Sequence, residues 1–163
     1  MSNRKFPAVF DCMVFLQAAA RKNGPAAACL DMVRNGHVHL YLSEEVIVEI
    51  DRVFRNSRFR DRFSQLTDEM IDAFVKEIVD LADVITVDVV PFQFERDSKD
   101  EKYISLAIEA AASYIVSRDS DLLDLMTGFD ELSKDFRRRF RPLKIVEPLS
   151  FLNLVREDMS VAS

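Results

Sequence analysis

Two short stretches decide the fold of this chain: Pro7-Ala-Val-Phe-Asp11 near its start and Tyr114-Ile-Val-Ser-Arg-Asp119 in its second half. Each contains an apolar run of strand length and ends in an acidic residue, and the first is followed by a helix-like run over residues 13–20. In open α/β sheets, ligands bind outside the carboxyl ends of the strands. The two stretches therefore predict an α/β protein with acids at the ligand-binding edge of its sheet.

Strand and helix signals alternate along the rest of the chain. Ser43 is placed as the N-cap of a helix that runs to about Phe54, and Ser98-Lys-Asp-Glu101 matches a capping box. Together the patterns predict strands over 7–11, 37–42, 84–87, 114–117 and 143–146, and helices over 13–20, 25–33, 44–54, 67–81, 99–111 and 122–126. Such alternation favours a mostly parallel sheet that is covered on both faces by helices.

The composition bounds the kind of protein. With 163 residues, 48% of them hydrophobic, the chain is expected to form one domain over residues 1–163, with a core over about 8–147 and a C-terminal helix over 149–157. Its 3 glycines are too far apart for a phosphate-binding loop, and its 2 cysteines and 2 histidines leave no ligand set for a structural zinc. The net charge of −6 argues against a surface coated in positive charge. No apolar run is long enough to span a membrane, and we expect a cytoplasmic location.

Acidic residues recur where the predicted strands end and the predicted helices begin. They are Asp11, Asp97, Asp100, Asp119 and Asp121. A further acid, Glu49, lies inside the predicted helix that follows Ser43 and interrupts the apolar run Val46-Ile-Val-Glu-Ile50. Carboxylates that converge on one cleft repel one another and have raised pKa values unless a cation neutralises them. Mg²⁺ prefers such oxygen ligands, and two such ions about 4 Å apart can drive the hydrolysis of a phosphodiester. The acids therefore favour a divalent-cation site without histidine.

The order of these motifs resembles the PIN domain, and more narrowly the toxin components of toxin–antitoxin systems, the VapC-like ribonucleases. The resemblance covers about residues 8–147. It rests on four motifs in the expected order, which are Val-Phe-Asp11, Ser43-Glu-Glu-Val-Ile-Val-Glu49, Asp97-Ser-Lys-Asp100-Glu-Lys-Tyr-Ile-Ser-Leu-Ala107 and Tyr114-Ile-Val-Ser-Arg-Asp119-Ser-Asp121.

The resemblance implies a three-layer α/β/α sandwich and a Mg²⁺- or Mn²⁺-dependent endoribonuclease. Carried over by position, the catalytic acids are Asp11, Glu49, Asp100 and Asp119; the metal ligands are Asp11, Asp100, Asp119 and Asp121; and the supporting residues are Asp97 and Ser117. The implied partners are an RNA substrate, a cognate antitoxin protein and a second copy of the chain in a homodimer.

Two basic stretches are candidates for holding the phosphate backbone of RNA. One contains Arg137, Arg138, Arg139 and Arg141, and the other contains Arg55, Arg58, Arg60 and Arg62. The alternative for the first stretch is a solvated helix face, or pairing with the nearby acids Glu131 and Asp135.

The chain departs from the family pattern at two positions. Met13 stands where asparagine is frequent, and its thioether cannot donate a hydrogen bond to a substrate or an acid. Ala111 stands where a glycine commonly separates the helix of the third acid from the next strand. Met13 therefore motivates a second hypothesis, a catalytically weak or inactive binding module with the same fold.

Other interpretations of the acids stay open at this stage. Individually they could cap helices, pair with basic side chains such as Arg52, or lie in ordinary turns. An aspartyl-phosphate protein is a third function class. It fits less well, because Asp11-Cys-Met13 lacks a second aspartate and Lys144 lies inside a predicted strand.

Overall fold

The computed structural model describes residues 6–162 and contains a five-stranded, all-parallel sheet with the strand order β3-β2-β1-β4-β5. The strands are β1 (Phe6–Phe10), β2 (Val38–Leu42), β3 (Asp83–Val84), β4 (Tyr114–Val116) and β5 (Lys144–Val146). The chain builds β2 and β3 outward from one side of β1, and then returns to the other side for β4 and β5. The predicted parallel sheet is confirmed.

Nine α-helices cover this sheet within the described residues. They are α1 (Cys12–Ala20), α2 (Pro25–Arg34), α3 (Glu44–Phe54), α4 (Ser57–Arg62), α5 (Asp68–Leu81), α6 (Glu101–Glu109), α7 (Ser120–Thr127), α8 (Glu131–Arg139) and α9 (Pro148–Ala162). Helix α6 packs on β1, β2 and β4, whereas α7 packs on β5 and α2 packs on β2. This arrangement confirms the predicted α/β class and its three-layer α/β/α sandwich. None of the described helices is both long and apolar enough to cross a membrane.

The core forms where apolar strand residues meet apolar helix faces. Strand β1 is buried from Ala8 to Phe10, and Phe10 contacts Phe15 of α1 and Phe151 of α9 through their rings. Burying such aromatic side chains stabilises a fold by about 1.5–3 kcal/mol each. The apolar contacts therefore hold α1 and α9 against the central strand, and they fix the start of α1 next to the end of β1.

Local capping chemistry explains most helix starts. The Ser43 hydroxyl accepts a hydrogen bond from Val46 N at 3.2 Å, and the Thr67 hydroxyl accepts one from Met70 N at the same distance. These bonds satisfy backbone donors that the first turn of a helix leaves free. The predicted starts of α3 and α5 are confirmed.

The capping box predicted at Ser98-Lys-Asp-Glu101 is wrong. Residues Ser98–Asp100 form a 3₁₀ turn, and α6 begins only at Glu101. The cap of the turn is Asp97, whose carboxylate accepts from Lys99 N at 3.1 Å, while the Glu101 carboxylate accepts from Phe94 N at 2.8 Å. The reason is tertiary, because the preceding loop brings Phe94 N to Glu101.

The strand predicted over residues 84–87 is shorter than expected. The ladder pairs Tyr41 with Asp83 and Leu42 with Val84, and one further bond joins Ile85 N to Leu42 O at 2.8 Å. Strand β2 ends at Leu42, because Ser43 caps α3. The apolar residues after Ile85 therefore have no neighbouring strand with which to pair.

Candidate functional site

The candidate site lies where β1 and β4 end side by side. Their register pairs Phe10 with Val116, and Asp11 N donates to Val116 O at 3.1 Å. After β1 the chain leads to β2 on one side of the sheet, and after β4 it leads to β5 on the other side. The connections that follow the two neighbouring strands therefore diverge. A crevice at such a reversal of strand order is where open α/β sheets bind ligands.

Ser117 joins the acids that follow these two strands. Its hydroxyl donates to Asp11 Oδ2 and accepts from Asp119 N at 2.9 Å, and its side chain is fully buried. Asp11 also caps α1 by accepting from Val14 N at 3.1 Å. Two hydrogen bonds therefore hold the Asp11 carboxylate in one orientation, and the same serine positions the backbone that carries Asp119.

Three carboxylates form a compact cluster at this edge. One oxygen each of Asp97, Asp100 and Asp119 lies within 4.8 Å of the other two. Asp97 caps the 3₁₀ turn, and Asp119 caps α7 by accepting from Asp121 N at 2.8 Å. Asp100 is buried, and its Oδ2 has no hydrogen-bond partner within the described residues. A buried carboxylate oxygen without a donor, next to two other acids, is an acceptor that a cation would satisfy.

The electrostatics of the cluster favour a cation. Burial raises the pKa of Asp100 well above its ordinary value, and the charges of Asp119 and Asp97 raise it further. Burial also raises the pKa of Asp11 to about 6, although the hydrogen bonds from Ser117 and Val14 N lower it in part. The groups that could serve as ligands are all carboxylates, and such sets suit Mg²⁺ or Mn²⁺ better than softer metals. The residues present therefore fit a hard divalent cation.

Glu49 lies apart from this cluster. Its carboxylate pairs with the Lys102 ammonium group and accepts from the Tyr103 hydroxyl at 2.5 Å. Burial by itself raises the pKa of Glu49, but the hydrogen bonds from Lys102 and Tyr103 outweigh burial and lower it. The Tyr103 hydroxyl in turn accepts from Cys12 N at 3.1 Å. Glu49 thus anchors the start of α1 rather than joining Asp97, Asp100 and Asp119.

The acids that the structure brings together therefore differ from the set of metal ligands that the sequence suggests. Asp97, expected only to support the site, belongs to the cluster of three together with Asp100 and Asp119. Asp11 lies outside that group but raises the pKa of Asp100 through its charge. Asp121 contributes its backbone N–H to Asp119, and its side chain is not one of the three.

Lys102 and Tyr103 were missed by sequence reasoning. Tyr103 lies one helical turn after Asp100, a spacing that places both side chains on one face of the chain as it enters α6. This spacing is the signal that could have found Tyr103. Lys102 carries no such mark, because a lysine in the first turn of a helix is ordinarily exposed.

The arginines of α8 are engaged within the protein. Arg137 donates to Leu125 O at 2.8 Å and to Gly128 O at 2.7 Å, so it satisfies carbonyl groups at the end of α7. Arg138 pairs with Asp135, and Arg139 donates to Pro91 O at 2.6 Å and packs over the ring of Phe140. Arg141 is exposed.

A different set of arginines lines a groove of about 500 Å³. The set is Arg21, Arg58, Arg62 and Arg118, and none of these exposed side chains has an ion pair among residues 6–162. By contrast, many arginines elsewhere pair with carboxylates, and these are Arg34, Arg55, Arg60, Arg96, Arg138 and Arg139. Phe59 and Phe63 line the groove, together with Met13, which is 49% exposed. Four arginines without an ion pair in the described chain therefore line one groove of an acidic protein.

A family model described as PIN domain matches residues 7–121. No curated protein matches the chain. Among solved structures, the chain is similar to the crystal structure of VapBC2 from Rickettsia felis bound to a DNA fragment from their promoter. The two chains are 12% identical with a TM-score of 0.53, and the match covers 86% of this chain and 98% of that chain. At this identity, the likeness shows the fold.

Proposed function

The chain belongs to the PIN domain family, and from that premise we propose that it is a metal-dependent endoribonuclease that hydrolyses phosphodiester bonds in RNA. The observation that carries the proposal is the cluster of Asp97, Asp100 and Asp119, with Asp11 fixed beside it. Such a cluster costs stability unless a cation neutralises it, so its presence beside the ends of two parallel strands indicates a binding role.

Each acid has a distinct part in this proposal. Asp97, Asp100 and Asp119 would hold Mg²⁺ or Mn²⁺, and Asp11 would complete the negative charge around the ion. When bound, such an ion lowers the pKa of water and stabilises charge on the scissile phosphate. Ser117 orients Asp11 through its hydroxyl and Asp119 through its backbone, which keeps the ligands in place before an ion arrives.

The role we propose for Glu49 differs from the catalytic role that the family resemblance implies, whereas the role we propose for Asp121 is the same as the implied one. Because the Glu49 carboxylate is engaged by Lys102 and Tyr103, we assign it to positioning α1 rather than to direct contact with the ion or substrate. Asp121 lies two residues after Asp119, in the first turn of α7. We keep it as a proposed additional ligand.

The arginine groove is the surface we propose for the RNA strand. Arg118 directly precedes Asp119, and Met13 lies two residues after Asp11, so the groove borders the acidic cluster. Single-stranded nucleic acids bind where positive side chains meet the phosphates and aromatic rings stack on the bases. Phe59 and Phe63 line the groove and offer such rings. This surface replaces the arginines of α8, whose guanidinium groups are largely engaged within the protein.

The first experiment measures the cleavage of mixed small RNAs with Mg²⁺ or Mn²⁺. We expect products that disappear in EDTA and with Asp119→Asn, but persist with Asp80→Asn, a matched change at an exposed acid on α5. Cleavage that survives in the Asp119 variant would contradict the assignment. RNA binding without metal-dependent products would favour the alternative, an inactive binding module, for which Met13 in place of asparagine is the motivating residue.

The RNA surface has its own test in binding measurements on a single-stranded oligoribonucleotide. Arg62→Gln and Arg118→Gln should each weaken binding and reduce the slope of log affinity against log salt by about 0.7, the value for one lost phosphate contact on a single strand. Arg138→Gln, on the arginine-rich helix α8, is the control and should leave both quantities unchanged. The opposite pattern would return the RNA to α8.

We further propose that the protein is the toxin of a toxin–antitoxin pair, acts in the cytoplasm and forms a homodimer. The support is the similarity in fold to a protein solved as VapBC2 with promoter DNA. Its two cysteines, Cys12 and Cys29, are free thiols, which suits a reducing compartment. Co-expression with the neighbouring reading frame and co-purification would test the partner, and sedimentation would test the dimer.

A further inference from the structure

The free edge of the sheet continues past β3 as a segment without backbone partners. Strand β3 is the terminal strand of the sheet, and its ladder ends at Val84. Ile85 N makes one more bond to Leu42 O, but residues 86–90 make no backbone hydrogen bond with any part of the chain that the structure describes. Exposed edges with unpaired N–H and C=O groups are templates for another strand. We call residues 83–90 the β3 edge.

This segment already has the side-chain pattern of a strand. Ile85 and Val87 are partly buried and pack against the core, whereas Val84, Thr86 and Asp88 between and beside them are exposed. Alternation with a period of two is the arrangement that strand geometry produces. The side chains of the β3 edge therefore already point to the faces that a strand requires, and a partner backbone is sufficient to extend the sheet.

An apolar surface accompanies the unpaired backbone. Val89 and Val90 are 63% and 57% exposed, and Val48 of α3 is 60% exposed. These valines line a groove of about 680 Å³ together with Val84 and other residues of the β3 edge. Ser105 also borders the groove, and its buried hydroxyl has no partner within the described residues. Apolar residues next to unpaired polar groups are typical of a site that binds an extended peptide.

The charge around the groove selects the chemistry of the partner. Glu44, Glu45 and Asp88 are exposed on its rim. The lysine that borders it, Lys102, is paired with Glu49, so it does not neutralise this rim. A second copy of the chain would bring two acidic rims together, which opposes self-pairing. A segment with basic side chains on one face is complementary instead.

We propose that the β3 edge binds an extended, basic and apolar segment of a partner polypeptide as an additional strand. The backbone of residues 86–90 supplies the hydrogen bonds, the valines take the apolar side chains, and the acidic rim takes the lysine or arginine side chains. This surface is separate from the arginine groove, whose positive charge suits the opposite kind of ligand. Occupation of the edge therefore does not require the acidic cluster.

The test uses fluorescently labelled octapeptides of alternating lysine and valine, and of alternating glutamate and valine, with anisotropy as the readout. The lysine peptide should bind the full chain at low salt and the glutamate peptide should not. N-methylation of alternate residues, which removes backbone donors without changing charge, should weaken binding at least tenfold. Protection of residues 84–90 from hydrogen exchange should accompany binding.

Variants separate the edge from unspecific attraction to an acidic protein. Glu45→Lys should weaken binding of the lysine peptide about tenfold, whereas Glu131→Lys, the same charge change on α8, should not. Thr86→Pro removes a backbone donor that has no partner within the described residues, and it should weaken binding while leaving RNA cleavage unchanged. Absence of binding, or equal effects of the two charge reversals, would overturn the proposal. Self-association that Thr86→Pro abolishes would assign the edge to a second copy and overturn it as well.

Discussion

Replacing Asp100 with asparagine is expected to stabilise the metal-free protein and to abolish its response to divalent cations. Asp100 is the buried member of the acidic cluster, and burial together with the charges of Asp119 and Asp97 raises its pKa. The asparagine side chain keeps the shape but carries no charge. It can also donate to a neighbouring carboxylate, where Asp100 Oδ2 has no partner within the described residues.

The magnitude follows from the separation of the charges. For two unit charges 4.8 Å apart, Coulomb's law gives about 3.5 kcal/mol at an effective dielectric constant of about 20, and about 0.9 kcal/mol in bulk water. Removing one charge should therefore raise the free energy of unfolding by about 1–3 kcal/mol. In a chain of this size, that corresponds to an increase in Tm of about 2–12 °C.

The assay is thermal unfolding of the wild-type protein and of Asp100→Asn at pH 8, in EDTA and in a titration with Mn²⁺. The wild-type protein should gain about 2.7 kcal/mol when Mn²⁺ reaches about 100 times its Kd. The variant should start from a higher Tm and gain little. Asp80→Asn, the same change at an exposed position, should behave as the wild type does.

Two results would refute the reasoning. If Asp100→Asn is less stable than the wild-type protein in EDTA, the acids of the cluster do not repel one another as their separation implies. If both proteins gain the same stability from Mn²⁺, the ion binds elsewhere. Loss of the Mn²⁺ response without a gain in stability would keep the site and refute only the calculated repulsion.

Three further predictions concern the pH dependence of stability, the Ser117 hydroxyl and the backbone of Ala111. Asp11 and Asp100 have raised pKa values, so they bind protons more tightly in the folded state than in the unfolded state. Their contribution to stability is therefore complete below about pH 4 and is lost as pH rises through their folded pKa values, about 6 for Asp11. The Tm measured in EDTA should fall from pH 5 to pH 8, and it should fall less in Asp100→Asn. Ser117→Ala should cost about 1–3 kcal/mol in urea unfolding and reduce cleavage, because it leaves Oδ2 of the buried Asp11 carboxylate without its donor while Oδ1 keeps the bond from Val14 N. By contrast, Ser105→Ala, which removes a hydroxyl without a partner in the described chain, should cost little. Ala111→Gly should raise the urea midpoint by an amount equivalent to about 1 kcal/mol, because Ala111 has a φ of 53° in the left-handed region; an unchanged or lower midpoint would contradict this.

Much of the fold was predictable because its signals are local. The caps Ser43 and Thr67 act within three residues of themselves, and the positions of Asp11 and Asp119 after apolar runs follow from strand length. The family glycine position occupied by Ala111 also proved to need the left-handed conformation that glycine favours.

Errors arose where a distant group competes with a local signal. Glu101 completes a capping box in the sequence, but its carboxylate accepts a hydrogen bond from Phe94 N instead. The N-cap of the 3₁₀ turn is therefore Asp97, whose carboxylate accepts from Lys99 N. Asp97 thereby enters the acidic cluster. Strand β3 ends early because its neighbour, β2, cannot continue past Leu42, since Ser43 caps helix α3 there.

The sequence by itself therefore determined the α/β alternation, the helix starts at Ser43 and Thr67, and the placement of acids at the ligand-binding edge of the sheet. Only the tertiary structure decided which acids meet, since Ser117 and Asp11 are 106 residues apart and are joined by the register of two neighbouring strands. It likewise decided that Glu49 pairs with Lys102 and that Arg62 and Arg118 line one groove, with no ion pair to residues 6–162. The physical reason is range: periodicity and capping act within one turn of a helix, whereas an ion pair or a metal site depends on distances that the packed chain alone sets.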